Sequence, residues 1–241
     1  MFKELLAVNE YPNLLQQPNA AFTAKLWLLL KIYGVLFLAI LFIAPLIIAA
    51  DNFVVHVLHF KTINKVQHDS MRHFFQKLGY WKAFFYVGLL GPLLEETIFR
   101  LPLSLKKRDI AFAFSAAAFL FDSFLFKHIS SPMLNIGIRL SISAIIYLAC
   151  IFNIPNGLSI VDYRFRNQLI ILSMCLFGLM HIANYSPIQW PVIWIYPVYV
   201  LPQLLMGWAI TFVRFKNGFF WGFALHCIIN MVSVMLSAGR I

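Results

Sequence analysis

Two adjacent carboxylates, Glu95 and Glu96, lie inside the apolar run WKAFFYVGLLGPLLEETIFRLPLSL (81–105), with Arg100 just downstream. A charged side chain at the centre of a bilayer costs roughly 3 kcal/mol or more, so such groups face a protein interior or take part in chemistry. Glu96 and Arg100 are four apart and share a helix face, which suits an ion pair. Glu95 is rotated about 100° away on the same turn. An ion pair that merely fixes helix register accounts for Glu96 and Arg100 but not for Glu95, which is placed to act as a general base. Two more histidines follow in apolar runs, His181 in FGLMHIAN and His226 in ALHCIIN. Phe177, His181 and Asn184 can share one face of the first run. His226 and Asn230, four apart, put two hydrogen-bond donors on one face of the second, as stabilisation of an oxyanion requires. Alone, each histidine is ordinary helix packing; together with the acid pair they are what an active site inside a membrane needs.

Residues of these types must be carried by membrane helices. The chain has 241 residues, 61% hydrophobic and only 12% charged, where a soluble domain carries about a quarter of its residues charged. Apolar runs long enough to cross a bilayer as helix recur at 26–50, 81–104, 110–126, 133–154, 169–185, 191–213 and 218–237. No alternating pattern of β-strands recurs. The expected fold is all-α, a polytopic transmembrane helical bundle of seven or eight helices. The first run is too long for the core of a signal peptide and reads as a retained span, with Lys25 and Lys31 reaching for the interface. Pro92 removes a helix hydrogen bond just ahead of the acid pair and is expected to bend that span and open room for water.

Residues 1–80 divide into a polar lead expected to be irregular, the first transmembrane helix, and an amphipathic connection over 51–80. Residues 81–241 form the core that carries the motifs. The basic loops KKR (106–108), RFR (164–166) and RFK (214–216) fall on one side, which the positive-inside rule makes cytoplasmic, with the N-terminus on that side too. Lys61, Lys65, Arg72, Lys77 and Lys82 then fall outside, a conflict that an eighth span near 52–60 would remove. The net charge of +10 is accounted for by orientation and lipid headgroups, so no nucleic acid partner is expected. Cys150, Cys175 and Cys227, all in apolar runs, read as small buried hydrophobes rather than a disulfide or zinc framework. Arg139 is expected to snorkel, and Asp122 to pair with Lys127 or with a neighbouring helix. Trp190, Trp194, Tyr196 and Tyr199 read as an interfacial anchor.

The ordered set E-E-x-x-x-R (Glu95 to Arg100), F-x-x-x-H (Phe177 to His181) and H-x-x-x-N (His226 to Asn230) resembles the CPBP family (CAAX protease and bacteriocin-processing), intramembrane glutamate proteases, here of the abortive-infection type. The resemblance covers about 81 to 237. It implies that Glu95, with His181, activates a water for attack on a peptide carbonyl. It further implies that His226 and Asn230 stabilise the resulting oxyanion, with Glu96 and Arg100 as the supporting pair. No cofactor is expected: the chain has no H-E-x-x-H zinc motif. A zinc ion held by a Glu–His–His set from three helices is the secondary alternative. The expected partners are a peptide or membrane-protein substrate and the lipid bilayer, and the expected location is multi-pass in a bacterial cytoplasmic membrane. Two rival functions share these residues. A proton-coupled transporter also uses intramembrane Glu and His, though the chain shows no paired broken helices. A non-catalytic immunity or scaffold protein would keep the fold without turnover.

Overall fold

The computed structural model describes residues 2–14, 20–126, 131–155 and 163–237, and among them there is helix and no strand. The helices are α1 (Phe2–Leu6), α2 (Phe22–His56), α3 (Ile63–Leu78), α4 (Tyr80–Phe85), α5 (Gly91–Phe99), α6 (Lys107–Leu125), α7 (Pro132–Asn153), α8 (Tyr163–Met180), α9 (Tyr196–Tyr199), α10 (Leu201–Asn217) and α11 (Phe219–Ser237). The all-α, membrane-spanning class expected from the sequence is the one observed. Among the described residues, four single stretches are long and apolar enough to cross a bilayer: Phe22–His56, Pro132–Asn153, Phe165–Tyr185 and Phe219–Ser237. Trp190–Tyr199 and Leu201–Asn217, bent by 42° at their junction, add a fifth if they act as one span. Pro191, Pro197 and Pro202 lie in this bent pair, where missing donors favour short turns over continuous helix. The expected spans at 81–104 and 110–126 are helical but interrupted or charged: a π-turn and a 3₁₀ turn break the first, and Lys107, Arg108 and Asp109 open the second.

The chain divides into two compact units, one of residues 1–92 and 171–241, the other of 93–170. In the first, α2 is 35 residues long, about 52 Å at 1.5 Å per residue, so it outreaches a hydrocarbon core of about 30 Å. Its N-terminal end meets the C-terminal end of α10, where Asn217 Nδ2 donates to the Lys25 carbonyl at 3.2 Å. Residues 214–216, expected as a basic loop, are instead the last turn of α10, with Arg214 and Phe215 buried. Lys31 Nζ lies 5.2 Å from the centroid of the Trp27 ring.

At the other end of α2, Asp51 Oδ1 accepts from the Ile63 amide (2.8 Å) and the Tyr199 hydroxyl (3.0 Å). This carboxylate ties α2 to the first turn of α3, where exposed N–H groups favour an anion. Thr62 adds the side-chain cap, accepting from the Lys65 amide. The connection over 51–80 is thus a continuation of α2 to His56 followed by the amphipathic α3, and no separate span lies at 52–60.

Within the described residues, the N-terminal lead is not irregular. Residues 2–6 and 8–13 are helical, and Tyr11 is buried with its ring 5.6 Å from that of Phe212. The Leu5 carbonyl accepts from the Tyr11 hydroxyl (2.6 Å) and from Trp208 Nε1 (3.0 Å), and Lys216 Nζ bonds Glu4 at 2.9 Å. Leu5 and Tyr11 give the segment an apolar face, and α10 supplies the surface that covers it.

In the second unit α6 packs along α7, with Ser115 Oγ donating to the Ser143 carbonyl at 2.8 Å. Arg139 does not snorkel as expected. Its Nε and Nη2 both donate to the Phe119 carbonyl, Nε at 2.9 Å, and its guanidinium lies 4.1 Å from the Phe119 ring centroid. A guanidinium satisfied by a neighbouring helix has no need of the interface. The expected pairing of Asp122 with Lys127 lies outside the described residues. Cys227 is buried, Cys150 half-buried and Cys175 exposed, so only the first is the core residue expected.

Candidate active site

The Glu95–Glu96 pair is delivered by α5, and the path into α5 is set by Gly91 and Pro92. Proline has no N–H to donate, and the turn before it, Tyr86–Leu90, is π-helical, with the Gly91 amide bonded to the Tyr86 carbonyl. π-turns of this kind gather at functional sites. After Phe99 the helix tightens into a 3₁₀ turn, Leu101–Ser104, with Pro102 inside it.

Within the second unit Glu96 and Arg100 form the expected pair, Oε1 to Nη1 at 3.6 Å, both with fully buried side chains. Thr97 is buried beside them in sequence, while Glu95 is only half-buried. The two neighbouring glutamates therefore meet different surroundings, as their 100° separation around the helix requires.

Within the first unit the Phe177 ring collects both histidines. Its centroid is 4.9 Å from the His181 ring and 5.5 Å from the His226 ring, both edge-on contacts. Phe177 and His226 are fully buried and His181 is half-buried. His181 is not within α8 but opens the 3₁₀ turn His181–Tyr185 that ends it. Its Nδ1 lies 2.8 Å from the Phe177 carbonyl. Asn184, three residues on in the same 3₁₀ turn, is exposed, while His181 is half-buried. The approach of α8 to α10 is close because residue 178 is glycine: a Cβ there would fall 2.4 Å from Leu204 Cδ2.

Asn230 lies one turn beyond His226 on α11, and its Nδ2 donates to the Val87 carbonyl at 3.0 Å. Sequence reasoning missed this bond. The available signal was the Gly91-Pro92 pair, which leaves helix carbonyls without their donors.

The structure thus brings His181 and His226 to one aromatic ring, Asn230 to the π-turn, and Glu96 to Arg100. Glu95, Glu96 and Arg100 belong to the second unit; the two histidines and Asn230 belong to the first. Within neither unit do three or more of the described His, Cys, Asp and Glu residues cluster as a metal site would require.

The family model described as type II CAAX prenyl endopeptidase Rce1-like matches residues 77–232, well over half of the chain. The chain belongs to this Rce1-like family. The match runs from the end of α3 into α11. It takes in Glu95, Glu96, Arg100, His181, His226 and Asn230 and leaves α1 and α2 outside. No curated protein and no solved structure matches the chain. Rce1-like membership and the apolar helices together make this an integral membrane protein of a protease family.

Proposed function

We propose that the protein is an intramembrane endopeptidase that hydrolyses a peptide bond with water activated by Glu95 and His181. The observation that carries the proposal is the histidine arrangement around Phe177, set on two helices inside the Rce1-like stretch. A carbonyl can only accept, so the bond to Phe177 gives His181 the Nδ1–H tautomer and leaves the lone pair on Nε2. That nitrogen is the one able to hold a water for the Glu95 carboxylate to deprotonate.

In the proposed reaction, water oxygen attacks the carbonyl carbon of the scissile bond while its proton passes to Glu95. The oxygen that gains charge is stabilised by hydrogen bonds from His226 and Asn230. The tetrahedral intermediate collapses with cleavage of the C–N bond, and the proton held by Glu95 moves to the departing nitrogen. The products are a carboxylate and an amine, with no acyl-enzyme. Glu96 and Arg100 hold the helix turn that presents Glu95.

The family name points to prenylated CAAX termini as one substrate class, and the bilayer would deliver any such lipid-anchored or membrane-embedded peptide sideways to the site. Bacterial peptides and membrane anchors are the other class, in keeping with a bacterial cytoplasmic membrane as the proposed location. Detergent-purified protein should be tested on a fluorogenic panel holding both classes, wild type beside Glu95→Gln and His181→Ala. Cleavage by wild type alone supports the proposal. Equal cleavage by Glu95→Gln would remove it.

A further inference from the structure

The Val87 carbonyl has lost both of the main-chain donors a helix offers. In an α-helix it would accept from the Gly91 amide, but that amide bonds to the Tyr86 carbonyl instead. In the π-helical register it would accept from residue 92, which is proline and has no N–H. A helix carbonyl stripped of its partner away from water must find another donor. The donor it finds is Asn230 Nδ2, 3.0 Å away and 143 residues later in the chain.

The packing around this bond leaves little slack. Gly88, the next residue in the π-turn, is buried against Met231, the next residue in α11. A Cβ at 88 would stand 2.8 Å from Met231 Cγ. Further along the same contact, Ala83 and Val234 belong to one buried cluster with Phe75. The π-turn is therefore held to α11 by a glycine contact and by one side-chain amide.

A π-turn adds one residue to a helix, which rotates everything after it by about 100° around the axis relative to an unbroken α-helix. Glu95 and Glu96 come three and four residues after Pro92. Their direction around their own helix therefore depends on whether the extra residue is kept. We propose that Asn230 is a positioning residue: by supplying the donor that Val87 lacks, it holds the π-turn and so fixes the direction in which Glu95 leaves α5. The functional arm rests on the proteolytic reading above, whereas the structural arm does not. The role is separate from an oxyanion contact, since an amide nitrogen carries two protons and only one is spent on Val87.

The sequence offers a clean probe, because Val87-Gly88 is its only Val-Gly pair. Labelling the full-length protein with [1-13C]valine and [15N]glycine isolates the Val87 carbonyl in a carbon–nitrogen correlated NMR spectrum. Asn230→Ala is expected to move this resonance upfield, as loss of a hydrogen bond does. Asn230→Asp, the same size but without a donor when ionised, should do the same if the alanine variant folds poorly. Pro92→Ala restores an N–H next to the turn, and in the Asn230→Ala background it should return the resonance towards wild type. An unmoved Val87 resonance in both Asn230 variants overturns the proposal.

The functional arm reads kcat and KM on whichever peptide the wild type cleaves. Misplacing a catalytic group by about 1 Å lowers turnover roughly 100-fold, so Asn230→Ala should lower kcat on that order with KM little changed. Pro92→Ala should then recover part of it. A restored carbonyl resonance without any recovery of kcat would assign Asn230 to the oxyanion alone and overturn the positioning role. If the wild type cleaves nothing, the proteolytic reading fails, while the Val87 resonance still decides the contact.

Discussion

His181 donates its Nδ1 proton to the carbonyl of Phe177, 2.8 Å away. Phe177 lies in the last turn of α8, so this bond orients the imidazole at the helix end. The structural and chemical roles of this side chain can be separated. Asparagine at 181 presents an amide nitrogen where Nδ1 stands but no basic nitrogen where Nε2 stands. His181→Asn should therefore keep the melting temperature of the wild type and lose about 10²- to 10⁴-fold in turnover, the usual worth of acid–base catalysis. His181→Ala should lose turnover and also about 1 kcal/mol of stability with the bond. Thermal unfolding in detergent beside peptide cleavage reads both. An asparagine variant that turns over like wild type would strip His181 of its chemical role.

Gly178 lets α8, which ends just before His181, approach α10. A Cβ there would stand 2.4 Å from Leu204 Cδ2 and 3.1 Å from Leu204 Cα, and the second distance involves backbone that cannot rotate away. Gly178→Val should destabilise the protein by about 1–3 kcal/mol, the range for overpacking. Leu204→Ala in the same chain should return part of the loss by vacating the space. No recovery in the double variant would place the strain elsewhere.

The N-terminal lead carries a pH dependence that can be worked out. The hydrogen bond from Lys216 holds the Glu4 carboxyl below its ordinary value of 4.5, helped by the lysine charge and opposed by partial burial. A carboxyl depressed on folding contributes stability above its unfolded value and loses it as pH falls through the lower, folded value. The docking of residues 2–13 on α10 should therefore be constant at neutral pH and weaken only below about pH 4.5. Glu4 is 43% exposed, so solvent screening limits the pair to about 0–1 kcal/mol. A spin label at Val8 should stay immobilised down to that range and gain mobility below it. Lys216→Ala should abolish the pH step and leave the remaining apolar docking through Leu5 and Tyr11 in place.

Some of this was legible in the residues alone. The membrane class followed from composition, and the Glu96–Arg100 pair followed from a spacing of four, because both depend on local periodicity. The separate surroundings of Glu95 and Glu96 followed from the same geometry. What escaped depended on contacts between distant residues. The order in residues 2–13 comes from Phe212 and Trp208, some two hundred positions away, and a polar lead shows no sign of them. Arg139 was read as snorkelling because its acceptor, the Phe119 carbonyl, is a backbone atom that any residue supplies. The bond from Asn230 to Val87 was hidden for the same reason.

Glu95 and Glu96 should respond oppositely to substitution. Glu96 and Arg100 are fully buried and stand 3.6 Å apart, so removing either breaks a buried ion pair. Breaking a buried pair of this kind costs about 3–5 kcal/mol, while replacing both partners with apolar residues of similar volume is often neutral. Glu96→Gln or Arg100→Met alone should thus lower the melting temperature sharply, and Glu96→Met with Arg100→Met should recover most of it. Glu95, half-buried, should tolerate Glu95→Gln with little change in melting temperature and a loss of cleavage on the order of 10²-fold or more. Running the cleavage assay with a chelator separates two kinds of glutamate chemistry. If Glu95 acts on water directly, wild-type turnover is indifferent to the chelator and Glu95→Gln stays inactive when zinc is added. If Glu95 is instead a metal ligand, the chelator abolishes wild-type turnover and zinc restores it, and the general-base role assigned to Glu95 falls.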